Sequence, residues 1–361
     1  MTRHTPRACT INQEVSDLIT AGAPVCVGVS GGKDSQAVAL AVARHLDDVG
    51  HTGQRLLVHS DLGRVEWRDS LPVCERLAEH LGWELLVVRR PSGDLMDRWE
   101  SRWVSRRDAY ADLLTVRLTP PWSTPSMRFC TSDMKTDPIS RALRRRFPVG
   151  PIVSVDGVRA QESAARAKKP ITAPATKLSR RDATGTNWHA ILHWTIEDVY
   201  AEIAAAGLQP HEAYRVHGSS RVSCGFCIMG SAQDLSIAAN VPEHQELLQA
   251  IVDLECRSTF AFQGARWLGD VAPDRLPVQL RARHTLAKAA ALERMAAEAT
   301  IPAHLLFKGQ AWPESVPSIA EADVLAAARS RVGDGVGIHV RYTTARAVRE
   351  RYEELFALRA T

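Results

Sequence analysis

Short apolar runs alternate with helical spacing along the first part of the chain. Val25–Val29 is a β-branched run of the kind found in a parallel sheet covered on both faces. Ala37, Val38, Leu40, Ala41 and Val42 then give a helix with a broad apolar face. Arg55–Asp61 reads as a second strand, Cys74, Leu77, Ala78 and Leu81 fall at helical spacing, and Glu84–Val88 reads as a third strand. A β-α-β-α-β series within the first ninety residues predicts an α/β fold, a doubly wound and mostly parallel sheet with right-handed crossovers. Pro151–Val155 supplies a fourth strand, and Thr195 is a good N-cap for a helix over 196–206. Residues 1 to 23 read as an N-terminal helix with Val15, Leu18 and Ile19 on one face.

Elsewhere the pattern is weaker. Residues 91–127 look irregular, with Trp99, Trp103 and Trp122 among arginines and a Pro120-Pro121 stop. Such interleaving suits base stacking, but a lid or packed insertion is preferred. Between Arg159 and Asp182 the cations Arg159, Arg166, Lys168, Lys169, Lys177, Arg180 and Arg181 face only Glu162 and Asp182. That segment has no clear period and reads as a loop turned towards an anion. Residues 241–361 are alanine-rich and helical, with breaks near Pro273, Pro313 and Gly333 and a charged last helix from about 343 to 359. The reading is therefore one domain over 1–240 and a helical C-terminal region over 241–361.

The first strand runs directly into Ser30-Gly-Gly-Lys-Asp-Ser35 and a helix. Strand, glycines and helix in that order make an anion site. Gly31 and Gly32 let the backbone approach closely, and the first helical N–H groups have no partner of their own. Ser30 and Ser35 add hydroxyl donors, and Lys33 adds a cation. The spelling excludes both Gly-x-x-x-x-Gly-Lys-Ser/Thr and Gly-x-Gly-x-x-Gly. Asp61 ends the second strand, where an open parallel sheet holds its ligand, so it can face a nucleotide or cap the next segment.

Bulk properties narrow the class only mildly. At 45% hydrophobic and 24% charged residues the composition is that of an ordinary globular protein, and the net charge of +4 permits nucleic acid without demanding it. No apolar run approaches the ~20 residues needed to span a bilayer, and no secretion signal is visible at the start, so no membrane partner is expected. Seven cysteines without a disulfide-like framework suggest a reducing cytoplasm.

Cys224 and Cys227 have metal-ligand spacing on a glycine-containing turn. Zinc, an iron–sulfur cluster and a redox dithiol all fit a lone pair of this kind. Further ligands could come from Cys130, Cys256, His211 or His217. Cys130 lies in a polar loop among arginines, so Cys130, Cys224 and Cys227 are the expected functional group. Cys256 recurs at helical spacing with Leu248 and Val252, and Cys26 and Cys74 lie on apolar faces, which makes all three core residues. Cys9 carries little information.

Taken with the loop, His59-x-Asp61-x-Gly63, Arg128-Phe-Cys-Thr with Lys135, Gly157-Val-Arg-Ala-Gln-Glu-Ser163 with Arg166, Trp194-Thr195 and Ser220-Arg-Val-Ser-Cys-Gly-Phe-Cys227 form an ordered set. This set resembles the phosphoadenosine phosphosulfate reductase-like family of PP-loop ATP pyrophosphatases over roughly residues 20 to 260. The resemblance implies an adenine nucleotide alpha hydrolase-like, Rossmann-type fold that cuts ATP between its α and β phosphates. It implies ATP on Ser30 to Ser35, Asp61 and Arg166, with Mg2+ at Asp34 and charge neutralisation by Lys33, Lys135 and Arg159. Within the family the chain is similar to the ATP pyrophosphatase component of DNA phosphorothioation systems. A cysteine desulfurase would then be the sulfur donor, with DNA or tRNA as substrate alongside other modification-system subunits. Sulfonucleotide reductases have a degraded loop and a cysteine in the C-terminal tail. Here the loop is intact and roughly a hundred residues follow Cys256. A sulfate-adenylylating enzyme gives no reason for the Cys-x-x-Cys. A tRNA-thiolating enzyme and a non-catalytic ATP-binding regulator complete the alternatives.

Overall fold

A computed structural model describes residues 7–307, 309 and 312–360 of the chain. In chain order the elements are α1 (Gln13–Thr20), β1 (Val25–Val29), α2 (Lys33–Asp48), β2 (Arg55–Asp61), α3 (Ser70–Leu81), β3 (Glu84–Arg89) and α4 (Leu95–Ala111). Then follow α5 (Phe129–Thr131), a π-helical turn (Ser132–Thr136), α6 (Asp137–Arg146), β4 (Gly150–Val155), α7 (Ala164–Ala167), β5 (Thr172–Pro174), β6 (Ala183–Trp188) and α8 (Ile196–Ala205). The rest is helical: α9 (Glu212–Arg215), α10 (Ala232–Asn240), α11 (Gln245–Ser258), α12 (Val278–Ala299), α13 (Ile319–Val336) and α14 (Ala345–Ala360). These form two compact units, Met1–Leu95 with Arg128–Ala238, and Met96–Met127 with Ala239–Thr361.

The first unit is the doubly wound sheet. Its strand order is β3-β2-β1-β4-β6-β5, parallel throughout except for the antiparallel edge strand β5. Alternation along β1 decides which face each residue serves. Val25, Val27 and Val29 join a core with residues of α1, α2, α3 and α8, while Cys26 lies with Leu56, Ile152 and Leu143 on the other face. Both faces are covered, as the apolar runs require. The chain steps outward from β1 to β2 and β3 and then crosses back to β4 on the other side of β1, so the carboxyl ends of β1 and β4 flank a topological switch point.

Two strands went unread in the sequence. The segment 159–182, expected to be a loop, contains α7 and β5, and β6 follows it. Ala183-Thr-Gly-Thr-Asn-Trp188 is polar and interrupted by Gly185. That glycine is required, since a Cβ there would lie 2.5 Å from the Leu178 Cβ where the chain crosses over the sheet. The N-terminal helix is shorter than expected. It begins after Asn12, whose side chain accepts the Val15 N–H at 3.1 Å, and the part of the expectation falling on residues 1–6 lies outside the described residues.

Residues 91–127 contain the preferred packed insertion, but Leu95–Ala111 is helical and not irregular. Residues 96–127, placed with the 1–240 region by the sequence, pack with the C-terminal helices instead. Trp99, Trp122 and Phe262 meet edge to face with ring centroids 5.1 to 5.8 Å apart. The Trp122 indole N–H donates to the Phe260 carbonyl at 3.2 Å. Glu298 of α12 accepts the Leu118 N–H at 2.9 Å, and the Arg117 guanidinium donates to the Glu298 carbonyl at 3.0 Å. Trp99, Trp103 and Trp122 are all buried, so they are a packed core and not a stacking surface. Gly333 is no break either. It lies inside α13, where a Cβ would come within 2.8 Å of the Ile338 carbonyl, and the helix ends at Gly337 in the left-handed conformation.

Trp99→Ala should therefore destabilise the second unit by about 3–5 kcal/mol, the usual cost of emptying a buried aromatic site. Urea unfolding followed by tryptophan fluorescence checks this. An unchanged midpoint with weakened nucleic-acid binding would restore the stacking reading.

Candidate nucleotide and cysteine site

At the carboxyl end of β1 the chain turns through Gly31 in the left-handed region, φ 74°, and Gly32 caps α2 without a side chain. A Cβ on Gly31 would sit 2.8 Å from the Ser70 carbonyl, so the turn admits no larger residue. Ser35 closes it, donating from Oγ to the Gly32 carbonyl at 2.8 Å and accepting the Ser30 N–H at 3.2 Å. The turn therefore leaves the start of α2 facing the switch point, with its dipole and N–H groups that have no intrahelical acceptor favouring an anion.

Arg159 reaches this turn from the loop after β4. Its approach depends on Gly157, where a Cβ would fall 2.7 Å from the Asp34 carbonyl. The Asp34 carboxylate is shared, one oxygen 2.6 Å from Arg159 Nε and the other 2.9 Å from Lys33 Nζ. Both cations are buried, at 4% and 6% exposure, so one carboxylate balances two desolvated charges. Glu162 holds the Arg159 backbone N–H at 3.0 Å and also pairs with Arg166, while Gln161 takes Arg159 Nη1 at 2.8 Å. Arg166 is partly exposed and sits in the same loop. Asp61 ends β2, as expected. It accepts the Gly63 N–H at 2.7 Å and pairs with Arg89 at 2.5 Å, so the capping role is present.

The cysteine segment docks beside β2. Cys224 bridges Glu66 in antiparallel fashion, and the Gly225 N–H donates to the Val65 carbonyl at 2.7 Å. Asp234 clasps both ends of the segment, taking Ser219 Oγ at 3.0 Å, the Ser220 N–H at 2.8 Å and Ser231 Oγ at 2.7 Å. Burial works to raise its pKa, but the hydrogen bonds from Ser231, Ser220 and Ser219 hold it below the usual carboxylate value. A shallow pocket is lined by Trp67, Ser219, Arg221, Ser223, Cys224 and Cys227, among others. The π-helical turn carries Lys135, and Ser60 at the end of β2 holds the turn by donating to the Met134 carbonyl at 2.5 Å.

Burial pushes the Cys224 thiol up to about 12 against the pull of the Lys135 ammonium, with Cys227, Glu66 and Cys130 adding to the rise. The structure thus brings Cys130, Cys224, Cys227 and Lys135 into one electrostatic neighbourhood. It does not gather them into a ligand set: among the described residues no three His, Cys, Asp or Glu side chains are placed to hold a metal ion. His211 is occupied elsewhere. Its Nδ1 accepts the Ala213 N–H at 2.9 Å, its Nε2 lies 3.3 Å from Ser70 Oγ, and burial lowers its pKa to about 4. His217 lies beside the Trp67 ring, with centroids 5.7 Å apart. Cys256 belongs to the second unit, and Cys26 and Cys74 are buried in the first, as their apolar faces implied.

Sequence reasoning missed three residues here. Tyr214 places its hydroxyl 3.4 Å from the Lys33 amide and 3.1 Å from the Val222 amide. Asp234 has no local signal beyond the serines it clasps. His59, named only within a motif, is buried between the Val29 carbonyl at 3.1 Å and Glu66 at 3.3 Å. Burial opposes its charge, but hydrogen bonds with Cys74 and Glu66 outweigh that and raise its pKa to about 10.

A glycine phosphate turn at the switch point of a parallel sheet, faced by a buried lysine and arginine, defines a PP-loop nucleotide-binding protein. The chain belongs to the phosphoadenosine phosphosulfate reductase domain family, which matches residues 24–230, more than half its length. It is 28% identical over 251 residues to an uncharacterized 37.8 kDa protein in the gpa 5' region of Escherichia phage 186, covering 60% of this chain and 71% of that one. Among solved structures it is similar to the U34-tRNA thiolase NcsA from Methanococcus maripaludis with its 4Fe–4S cluster. That match has a TM-score of 0.34 and 11% identity over 70% of this chain and 80% of the other. No helix among the described residues is long and apolar enough to cross a membrane.

The clasp predicts a pH dependence. Asp234 has a folded pKa below its unfolded value of about 3.9, so its stabilisation is complete above that value and is lost as pH falls through the folded pKa. Asp234→Asn should lose about 1–3 kcal/mol near neutrality, with the gap to wild type closing in acid. Urea midpoints for both proteins across that range check the sign. Parallel curves at every pH would count against the clasp.

Proposed function

We infer that the protein is an ATP pyrophosphatase that adenylates a substrate oxygen in preparation for sulfur insertion, acting in DNA phosphorothioate modification. The observation that carries the reading is the Asp34 carboxylate held between Lys33 and Arg159 over the phosphate turn. Two buried cations and a helix N-terminus suit the β and γ phosphates of a triphosphate. Asp34 is the donor type magnesium takes, but both its oxygens already pair with cations, so the carboxylate as placed does not fit that ion.

The acceptor oxygen attacks the α-phosphorus, the bond from that phosphorus to the bridging oxygen breaks, and pyrophosphate leaves on the backbone N–H groups of residues 31–35. Lys33 and Arg159 take up the charge that develops on the leaving oxygens. The acceptor now carries AMP, a far better leaving group than the original oxygen. A persulfide that a cysteine desulfurase leaves on one of Cys130, Cys224 and Cys227 attacks through its terminal sulfur and expels AMP. A second of these thiols then breaks the S–S bond, leaving sulfur on the acceptor and a cysteine disulfide that an external dithiol reduces. A nucleic-acid phosphate is supported as acceptor by Arg166, Lys168 and Lys169, which follow Arg159 and lie at the surface. The donor chemistry of the three thiols suits an iron–sulfur cluster, with zinc as the alternative, but their placement among the described residues does not.

Purified protein should release pyrophosphate from ATP when DNA is present, and Lys33→Met or Arg159→Met should slow release on the order of 10²–10³-fold. ATP binding without turnover under all acceptors would establish a regulator instead. Iron content and visible absorption after anaerobic purification test the cysteines. A colourless, iron-free protein that still supports phosphorothioation would leave them as thiol carriers.

A further inference from the structure

Tyr214 sits on α9, and its hydroxyl connects two loops that are far apart in sequence. The Lys33 amide it accepts at 3.4 Å belongs to the first residue of α2, a donor with no intrahelical partner. The Val222 amide it accepts at 3.1 Å lies two residues before Cys224. A Cβ on Gly32 would stand 3.5 Å from this hydroxyl, in ordinary contact, so the phenol packs directly against the turn. Its ring lies 5.2 Å from Lys33 Nζ and edge-on to Tyr200. Two accepted N–H groups use both lone pairs of the oxygen, and its proton remains a donor. Burial and the neighbouring Asp34 carboxylate keep that proton in place.

We propose that Tyr214 is a phosphate-contact residue that ties the phosphate turn to the cysteine segment. The inference rests on the nucleotide reading above and deepens it. The Lys33 N–H bond is long, and a charged phosphate oxygen attracts the same N–H at about 2.9 Å. Once that N–H turns to phosphate, the phenol donates its proton to the same oxygen and keeps the Val222 N–H. Pyrophosphate seated on residues 31–35 is then linked through one oxygen atom to the segment that carries Cys224 and Cys227. A phenylalanine keeps the ring and its contact with Lys33 but removes the link.

The test is hydrogen–deuterium exchange of the full-length protein as purified, with and without inorganic pyrophosphate, read on peptides covering 219–231. Calorimetry measures binding in parallel. In wild type, saturating pyrophosphate should slow exchange in this segment about tenfold. Tyr214→Phe should bind pyrophosphate roughly tenfold more weakly, the cost of one hydrogen bond to a charged group. At saturation its 219–231 exchange should stay within about twofold of the ligand-free rate. Binding without slowing in wild type overturns the proposal and leaves the nucleotide reading intact, as does equal slowing in the phenylalanine variant. Absence of binding to wild type overturns both. The wild-type arm decides by itself if the variant does not fold.

Discussion

One carboxylate between two cations organises the first unit. Asp34 lies in the first turn of α2, where the helix dipole already favours negative charge. Its oxygens nevertheless serve Lys33 and Arg159, each almost fully removed from water. Desolvating two cations costs several kcal/mol apiece unless an anion offsets them, and Asp34 supplies a single charge. The surplus positive charge is what makes the turn receptive to a polyanion. The arrangement also dictates the backbone around it. Gly157 is the residue that lets the loop after β4 reach Asp34, and Gly31 is the residue that lets β1 turn beneath Ser70.

The sequence conveyed this centre well because its parts are local. A β-branched strand, two glycines and a helix occupy adjacent positions, so the turn, the dipole and Lys33 can be read together. Arg159 followed from its motif, though its burial did not. Elements set by long-range contact were harder to see. β6 is polar and carries Gly185, and only the crowding of Leu178 against it explains that residue. Residues 96–127 show tryptophans among arginines, a pattern shared by stacking surfaces and by amphipathic core helices. The partner that decides between them, Phe262, lies well over a hundred residues downstream. Tyr214 and Asp234 carry no signal of their own, because a phenol or carboxylate that accepts backbone N–H groups looks like any other until the chain is folded.

The cysteine segment shows the difference between fixing a backbone and assembling a site. Its main chain is held by the Asp234 clasp, by the bridge to Glu66 and by Tyr214 through Val222. These are hydrogen bonds to buried groups, and each would be expensive to leave unmade. The thiols are treated otherwise. Cys224 is buried so that its proton is held up to about 12, and Lys135 does not offset that burial. A neutral thiol tolerates such a place, whereas a thiolate does not without a metal or further positive charge.

The two halves of the site are therefore poised on opposite electrostatic terms. Around Asp34 positive charge is in excess and awaits an anion. Around Cys224 burial disfavours negative charge, and the Lys135 ammonium offsets it only in part. A nucleotide phosphate belongs to the first environment, whereas at the second any negative charge must first meet the cost of burial. What passes between them is a hydrogen bond and not a charge, and the phenol of Tyr214 is the group suited to that, since it accepts from one loop and donates to whatever the other holds.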